Sequence, residues 1–170
     1  MTGVPATAHT ACVALGANIG DPLRQVEAGF AALAALPGTR LTARSSLYRS
    51  APVGYADQPD FINAVALIET ALAPQALLAA LLGIERAQGR VRDFPNAPRT
   101  LDLDIVLYGG LVLHEPGLTI PHARMLERAF VMLPLAEIAP DAEVPGQGTV
   151  RELAARLDAG SVAQLRRISA

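Results

Sequence analysis

The sequence predicts an α+β fold in which one antiparallel sheet carries helices on one face. Three observations lead there. Short apolar runs rich in β-branched residues alternate with segments whose apolar residues recur at helical spacing. Asp21-Pro22 and Pro74 mark helix starts directly after such runs. Two strand-like segments, 39–48 and 61–70, follow each other with only a Pro/Gly-bearing loop between them.

Element by element, Cys12 to Leu15 reads as a short buried strand, and Gly16, Asn18 and Gly20 as the turn after it. Asp21 is a suitable N-cap and Pro22 suits the first helical position. Leu23, Val26, Phe30 and Leu33 then form one apolar stripe, and Pro37-Gly38 stops the helix. Thr39 to Tyr48 reads as a second strand and Phe61 to Thr70 as a third. Pro74 opens a second helix with Leu77, Leu78, Leu81 and Leu82 on its buried side, ending near Gly89. Arg90 to Arg99 has two prolines and no periodicity, which predicts a loop. Leu101 to Tyr108 is a strand, and Gly109-Gly110 turns it into a short one at Leu111 to Leu113. Pro121 to Ile138 reads as mostly helical, broken at Pro134. Thr149 and Glu152 form a capping box for a last helix carrying Val150, Leu153 and Leu157. The order β-α-β-β-α-β matches the ferredoxin-like plan, followed by C-terminal additions.

The chain has 170 residues, the size of one domain spanning 1–170. Its one cysteine, Cys12, excludes an internal disulfide and disfavours a cysteine zinc site; set in an apolar run, it reads as a buried structural thiol. A formal net charge of −2 argues against bulk attraction to nucleic acid or to an anionic membrane. No apolar stretch is long enough to span a bilayer, and Met1 to Thr10 lacks the order of a signal peptide. The expectation is a cytoplasmic protein with no nucleic-acid or membrane partner. All 14 basic residues are arginine. Without lysine, a P-loop and Schiff-base chemistry are excluded.

The sharpest chemical signal is Leu101-Asp102-Leu103-Asp104-Ile105. Side chains alternate faces along a strand, so the apolar residues point into a core and both aspartates point the other way. With a rise near 3.3 Å per residue, two such positions lie roughly 6.5–7 Å apart. Neighbouring carboxylates repel, and aspartate is disfavoured in strands. Hard oxygen ligands on a rigid support suit Mg²⁺, which completes its shell with water and phosphates, and two ions can be bridged by two carboxylates. A bare D-x-D also fits a solvated strand face. Arg90, Arg92, Arg99 and Thr100, immediately upstream, turn the reading toward a phosphate ligand, because guanidinium forks match phosphate oxygens; surface Arg–Asp pairing is the alternative.

The run Arg90-Val91-Arg92 … Pro98-Arg99-Thr100-Leu101-Asp102-Leu103-Asp104 resembles the signature of the 6-hydroxymethyl-7,8-dihydropterin pyrophosphokinases. The likeness extends to Leu15-Gly16-Ala17-Asn18-Ile19-Gly20, Tyr48 to Gly54, Asp57 to Asn63, Leu118 to His122 and Pro134 to Pro140. It covers about 13–141, leaving 142–170 as a C-terminal extension. The resemblance implies transfer of diphosphate from ATP to the 6-hydroxymethyl group of a dihydropterin, with release of AMP, in folate biosynthesis. It implies two Mg²⁺ ions held by Asp102 and Asp104, with Arg90 and Arg92 as further catalytic residues. ATP contacts would come from Arg90, Arg92, Arg99, Ile105, Thr119, His122 and Arg128. Pterin contacts would come from Ser50, Ala51, the Val53 backbone, Asn63, and Phe61 and Phe130 as the two stacking rings. Glu85 matches an acidic position near the site; on its helical stripe a structural hydrogen bond is the competing role. The Arg90–Arg99 loop would serve as a lid.

The chain departs from the family pattern in places. It has no tryptophan, and Asn96 stands in the loop where the family usually has one. Leu82 replaces a common glutamine, Gly117 an arginine and Ala123 an aromatic. On the residues alone two other readings stay open: a nucleotidyl- or sugar-nucleotide transferase using D-x-D, and a non-catalytic ligand-sensing module.

Overall fold

The structure is a computed structural model that describes residues 8–51, 58–89 and 100–168. The main sheet is antiparallel throughout and centres on β1 (His9–Ala17). One neighbour of β1 is β4 (Phe61–Thr70), and the other is β5 (Asp102–Tyr108). The far side of β4 is shared. Its C-terminal half pairs with β2 (Thr39–Arg44) and its N-terminal end with β3 (Tyr48–Ser50). A last strand, β10 (Arg166–Arg167), pairs with β3. The single strand expected over 39–48 is therefore two. The break falls at Ser45, whose N–H donates to the Val65 carbonyl at 2.9 Å and whose Oγ accepts from the Val65 N–H at 2.9 Å. A side chain thus fills one rung of the ladder while the backbone steps aside.

Helix α1 (Pro22–Ala34) starts as its sequence dictates: the Asp21 carboxylate accepts from the Arg24 N–H, and Pro22 occupies the first turn. It buries Val26, Gly29, Phe30 and Leu33, while Leu23 is exposed. Gly29 is there for closeness, since a Cβ would meet Leu15 Cδ2 at 2.8 Å. Helix α2 (Pro74–Ala87) buries Leu77, Leu81, Ile84 and Glu85. Both helices lie on the sheet face that carries Val13, Leu15, Leu101, Leu103 and Ile105.

The opposite face is covered as well, which corrects the expectation of helices on one face only. Cys12, Val65, Val106 and Leu107 there form a second apolar cluster with α3 (Ala129–Ile138) and α4 (Val150–Ala154). The reason lies in β4, which is buried continuously from Ile62 to Ala66 instead of alternating, as a strand covered on both faces must be. Burial pushes the Cys12 thiol up to about 12, so it is an inert structural thiol.

Three further expectations change. Pro134 does not break its helix; α3 runs through it. One lost backbone bond is outweighed by the burial of Val131, Met132, Pro134 and Leu135 against the sheet. The strand expected at Leu111 to Leu113 is displaced to β6 (Leu113–Glu115), which pairs with β7 (Leu118–Ile120) through a Pro116-Gly117 turn. Leu111 and Val112 are instead exposed after the Gly109 turn. The last helix is shorter than its stripe: α4 keeps its Thr149–Glu152 capping box but ends at Ala154, before Leu157. Between these elements lie β8 (Glu143–Val144) and β9 (Gly148–Thr149), and α5 (Ala159–Ala163) precedes β10.

Helix α3 is tied to the sheet through Glu137. Its carboxylate accepts from the Ser46 N–H at 3.0 Å, the Ser46 hydroxyl at 2.7 Å and the Tyr48 hydroxyl at 2.8 Å. No helix among the described residues is long and apolar enough to cross a membrane.

Candidate active site

Asp102 and Asp104 are half-buried on β5 and alternate with the buried Leu101, Leu103 and Ile105, as the strand period requires. Across the ladder, Gly16 stands opposite Asp102 and Ala14 opposite Asp104. Because these two β1 residues are so small, space opens above the sheet. A cavity of about 340 Å³ fills it, and both aspartates line it together with Ala14 and Gly16.

The other end of the cavity is built from β3 and β4. Asn63, only 4 % exposed, lies directly across from Gly16, and its Nδ2 donates to Ser50 Oγ at 2.6 Å. That bond fixes the amide orientation and leaves its oxygen beside Gly16, where a Cβ would come within 3.2 Å of Asn63 Oδ1. Phe61 and Ala51 line the same end. Phe130, at the start of α3, faces the cavity from above, and the Arg128 guanidinium stands 5.5 Å from its ring centroid.

The approach to this site is shaped by irregularity in β5. Its register with β1 shifts between Cys12 and Val13, so Val106 and Leu107 both reach the second core. The Val106 carbonyl accepts the His122 N–H at 3.0 Å. This draws His122 close enough to Asp102 to feel its charge. Burial lowers the His122 pKa from its ordinary value; Arg128 and Arg124 lower it further, while Asp102 opposes them. The ring is therefore neutral near pH 7. Its Nδ1 accepts from the Arg124 N–H at 3.2 Å, which assigns the proton to Nε2. Met125 to Glu127 form one 3₁₀ turn before α3, which brings Arg124, Glu127 and Arg128 to the cavity wall.

Of the residues singled out in the sequence, Ser50, Ala51, Phe61, Asn63, Asp102, Asp104, Arg128 and Phe130 meet in this cavity. His122 does not line it but lies near enough to Asp102 and Arg128 on its wall to feel their charges, and Thr119 is half-buried on β7 opposite His114. Ile105 departs from the expectation: its side chain is 4 % exposed in the core beneath α1 and α2, on the face away from the aspartates. Only its main chain could meet a ligand. Arg90, Arg92, Arg99, Val53 and the expected lid lie outside the described residues. Glu85 makes the structural bond: its Oε2 accepts the Leu103 N–H at 2.8 Å. Gly117 has φ +80° in the β6–β7 turn, a conformation that excludes the family's arginine without strain.

Sequence reasoning missed Gly16, read as a turn residue but lying within β1, and Arg124, Glu127, Ser161, Gln164 and Leu165 on the wall. The run Leu15-Gly16-Ala17 between apolar residues held a signal for the first, since glycine inside a strand marks a close approach. The C-terminal three had none.

Fold and site together define a small-molecule-binding α+β domain whose cavity beside the aspartates has an acidic end and an aromatic, hydrogen-bonding end. The chain belongs to the 7,8-dihydro-6-hydroxymethylpterin-pyrophosphokinase family, whose model matches residues 12–140. It is 52% identical over 143 residues to a 2-amino-4-hydroxy-6-hydroxymethyldihydropteridine pyrophosphokinase of Pseudomonas aeruginosa, covering 84% of this chain and 88% of that one. To the protein of the same name from Haemophilus influenzae it is 49% identical over 144 residues, covering 85% and 90%. Among solved structures, a Plasmodium falciparum HPPK-DHPS triple mutant crystallised with pteroate superposes with a TM-score of 0.74 at 13% identity. That match covers 95% of this chain and 47% of the solved one, so the chain spans about half the length of its structural neighbour and shares its fold.

Proposed function

We infer that this chain transfers diphosphate from ATP to the 6-hydroxymethyl oxygen of a 7,8-dihydropterin and releases AMP, a step of folate biosynthesis. The observation that carries the reading is the single cavity shared by Asp102 and Asp104 at one end and by Asn63, Ser50 and Phe61 at the other. A flat, polar heterocycle fits the second end. Asn63 and Ser50 would meet its hydrogen-bonding edge, and Phe61 and Phe130 its faces. The hydroxymethyl group then points along the sheet toward the aspartates.

Asp102 and Asp104 fit Mg²⁺: two hard carboxylates held by a strand, with the rest of the shell left to phosphate oxygens and water. Magnesium bound there, as two ions, would neutralise charge on the polyphosphate and favour loss of the hydroxyl proton. The chain's own work is positioning, which matters most in phosphoryl transfer. Arg128 would place its guanidinium near the phosphates, and neutral His122 offers its Nε2–H as a donor. Thr119 and the Ile105 main chain would meet the nucleoside, and the resemblance assigns Arg90, Arg92 and Arg99 to the phosphates. The sheet order reads as a ferredoxin-like plan whose second strand is split into β2 and β3.

Incubation with ATP, Mg²⁺ and 6-hydroxymethyl-7,8-dihydropterin tests the reading. It requires AMP and pterin diphosphate in equal amounts, dependent on the divalent ion. Release of inorganic pyrophosphate or a nucleoside diphosphate would refute it in favour of another D-x-D transferase.

A further inference from the structure

The family match ends at residue 140, yet the cavity wall does not. Ser161, Gln164 and Leu165 line it too. The path of the chain explains how. After α4, whose Val150 and Leu153 are anchored in the second core, Asp158 caps α5 by accepting the Ser161 N–H. The chain then turns into β10, with Arg166 opposite Arg49 and Arg167 opposite Tyr48. Ile168 closes the segment: its N–H donates to the Leu47 carbonyl at 2.8 Å, and its side chain packs against the first core. The segment is thus a strap fastened at both ends. Extending the β10–β3 register back by one and two residues puts Leu165 beside Ser50 and Gln164 beside Ala51. Ser50 is the residue that accepts the Asn63 amide.

We propose that this C-terminal strap is part of the substrate site, with Leu165 and Gln164 as specificity-determining residues for the pterin ring. The inference rests on the functional reading above and deepens it. The strap borders the ring end of the cavity and not the phosphate end, because the sheet order is β10-β3-β4-β1-β5 and the aspartates sit on β5. At a spacing of about 4.8 Å per strand, four steps separate them by roughly 19 Å. Leu165 is half-buried and supplies an apolar wall beside Ser50, while Gln164 supplies an amide that both donates and accepts, suited to the edge of a heterocycle. Binding of the acceptor therefore draws on chain beyond the segment the family model matches, and acceptor selectivity is set partly from there.

Steady-state kinetics on the full chain decide it. Leu165→Ala and Gln164→Ala are expected to raise KM for the dihydropterin about three- to tenfold while KM for ATP and the melting temperature hold. Arg166→Pro, which disrupts the β10 pairing, is expected to raise KM for the dihydropterin more strongly while KM for ATP holds. A purely structural strap would move both KM values together with the melting temperature, and that outcome overturns the proposal. Pterin KM values equal to wild type in both alanine variants overturn it as well. A wild-type protein that makes no AMP from this substrate pair sinks the functional reading and the proposal together, whereas unchanged variants of an active wild type sink the proposal alone.

Discussion

Glu85 on α2 accepts the Leu103 N–H at 2.8 Å, and Leu103 lies between the two cavity aspartates on β5. Among the described residues that strand is the sheet's edge, paired only with β1 in the main sheet. Alternate N–H groups of such a strand face away from its neighbour and need another partner. Glu85, 2 % exposed, supplies that partner from the helix layer. The carboxylate that sequence alone placed between a structural and a site role thus holds the strand that presents Asp102 and Asp104.

Removing it leaves a buried N–H unsatisfied. Glu85→Ala is expected to destabilise the fold by about 1–3 kcal/mol in urea unfolding, the range for an orphaned buried donor. Glu85→Gln keeps an acceptor oxygen and should retain most stability and activity. Equal losses in the two variants would show that charge, and not the hydrogen bond, is what matters.

Gly16 makes a second prediction. Its side-chain direction opens on the cavity, and the amide it would touch is held by Ser50. Gly16→Ala should weaken dihydropterin binding by about tenfold, near 1.4 kcal/mol, measurable by calorimetry. The fold should survive, because the position is ordinary strand backbone. Unchanged affinity would show that the ring does not lie over β1.

Asp102→Ala should cut kcat on the order of 10²- to 10³-fold, as losing a preorganised electrostatic group does. Unfolding free energy should change by no more than about 1 kcal/mol, because the side chain faces the cavity and not the core. Near wild-type turnover would refute the metal assignment.

Glu137 contributes to the acid limb of stability. Burial alone would raise its carboxyl, but the hydrogen bonds from Ser46 and Tyr48 outweigh that and hold it below the ordinary 4.5. A folded pKa below the unfolded one means the unfolded chain binds the proton more readily. Its stabilisation is therefore complete above the ordinary value and lost as pH falls through the folded one. Unfolding free energy followed downward from pH 5 should fall less steeply in Glu137→Gln than in wild type. The effect is modest because Glu137 stays exposed at its rim.

Much of this was legible where chemistry is local. Asp21 and Pro22, Pro74, and the Thr149–Glu152 box act within one helical turn, and each starts its helix where the sequence says. The aspartates were legible because strand alternation with Leu101, Leu103 and Ile105 is local too. What escaped depends on distant partners. Pro134 stays helical because the second core holds it, and the 39–48 strand splits because Val65, twenty residues on, bonds the Ser45 hydroxyl. Gln164 and Leu165 reach the cavity only through the pairing of β10 with β3, which no two-residue repeat could announce.

The proposed transfer requires Asp102 and Asp104 to hold divalent ions against a polyphosphate. A crystal grown with a non-hydrolysable ATP analogue and Mn²⁺ in place of Mg²⁺ tests this directly through anomalous scattering. Anomalous peaks bridging the two carboxylates and the analogue's phosphates are the expected result. Phosphates bound elsewhere, with no anomalous signal at either aspartate, would contradict it.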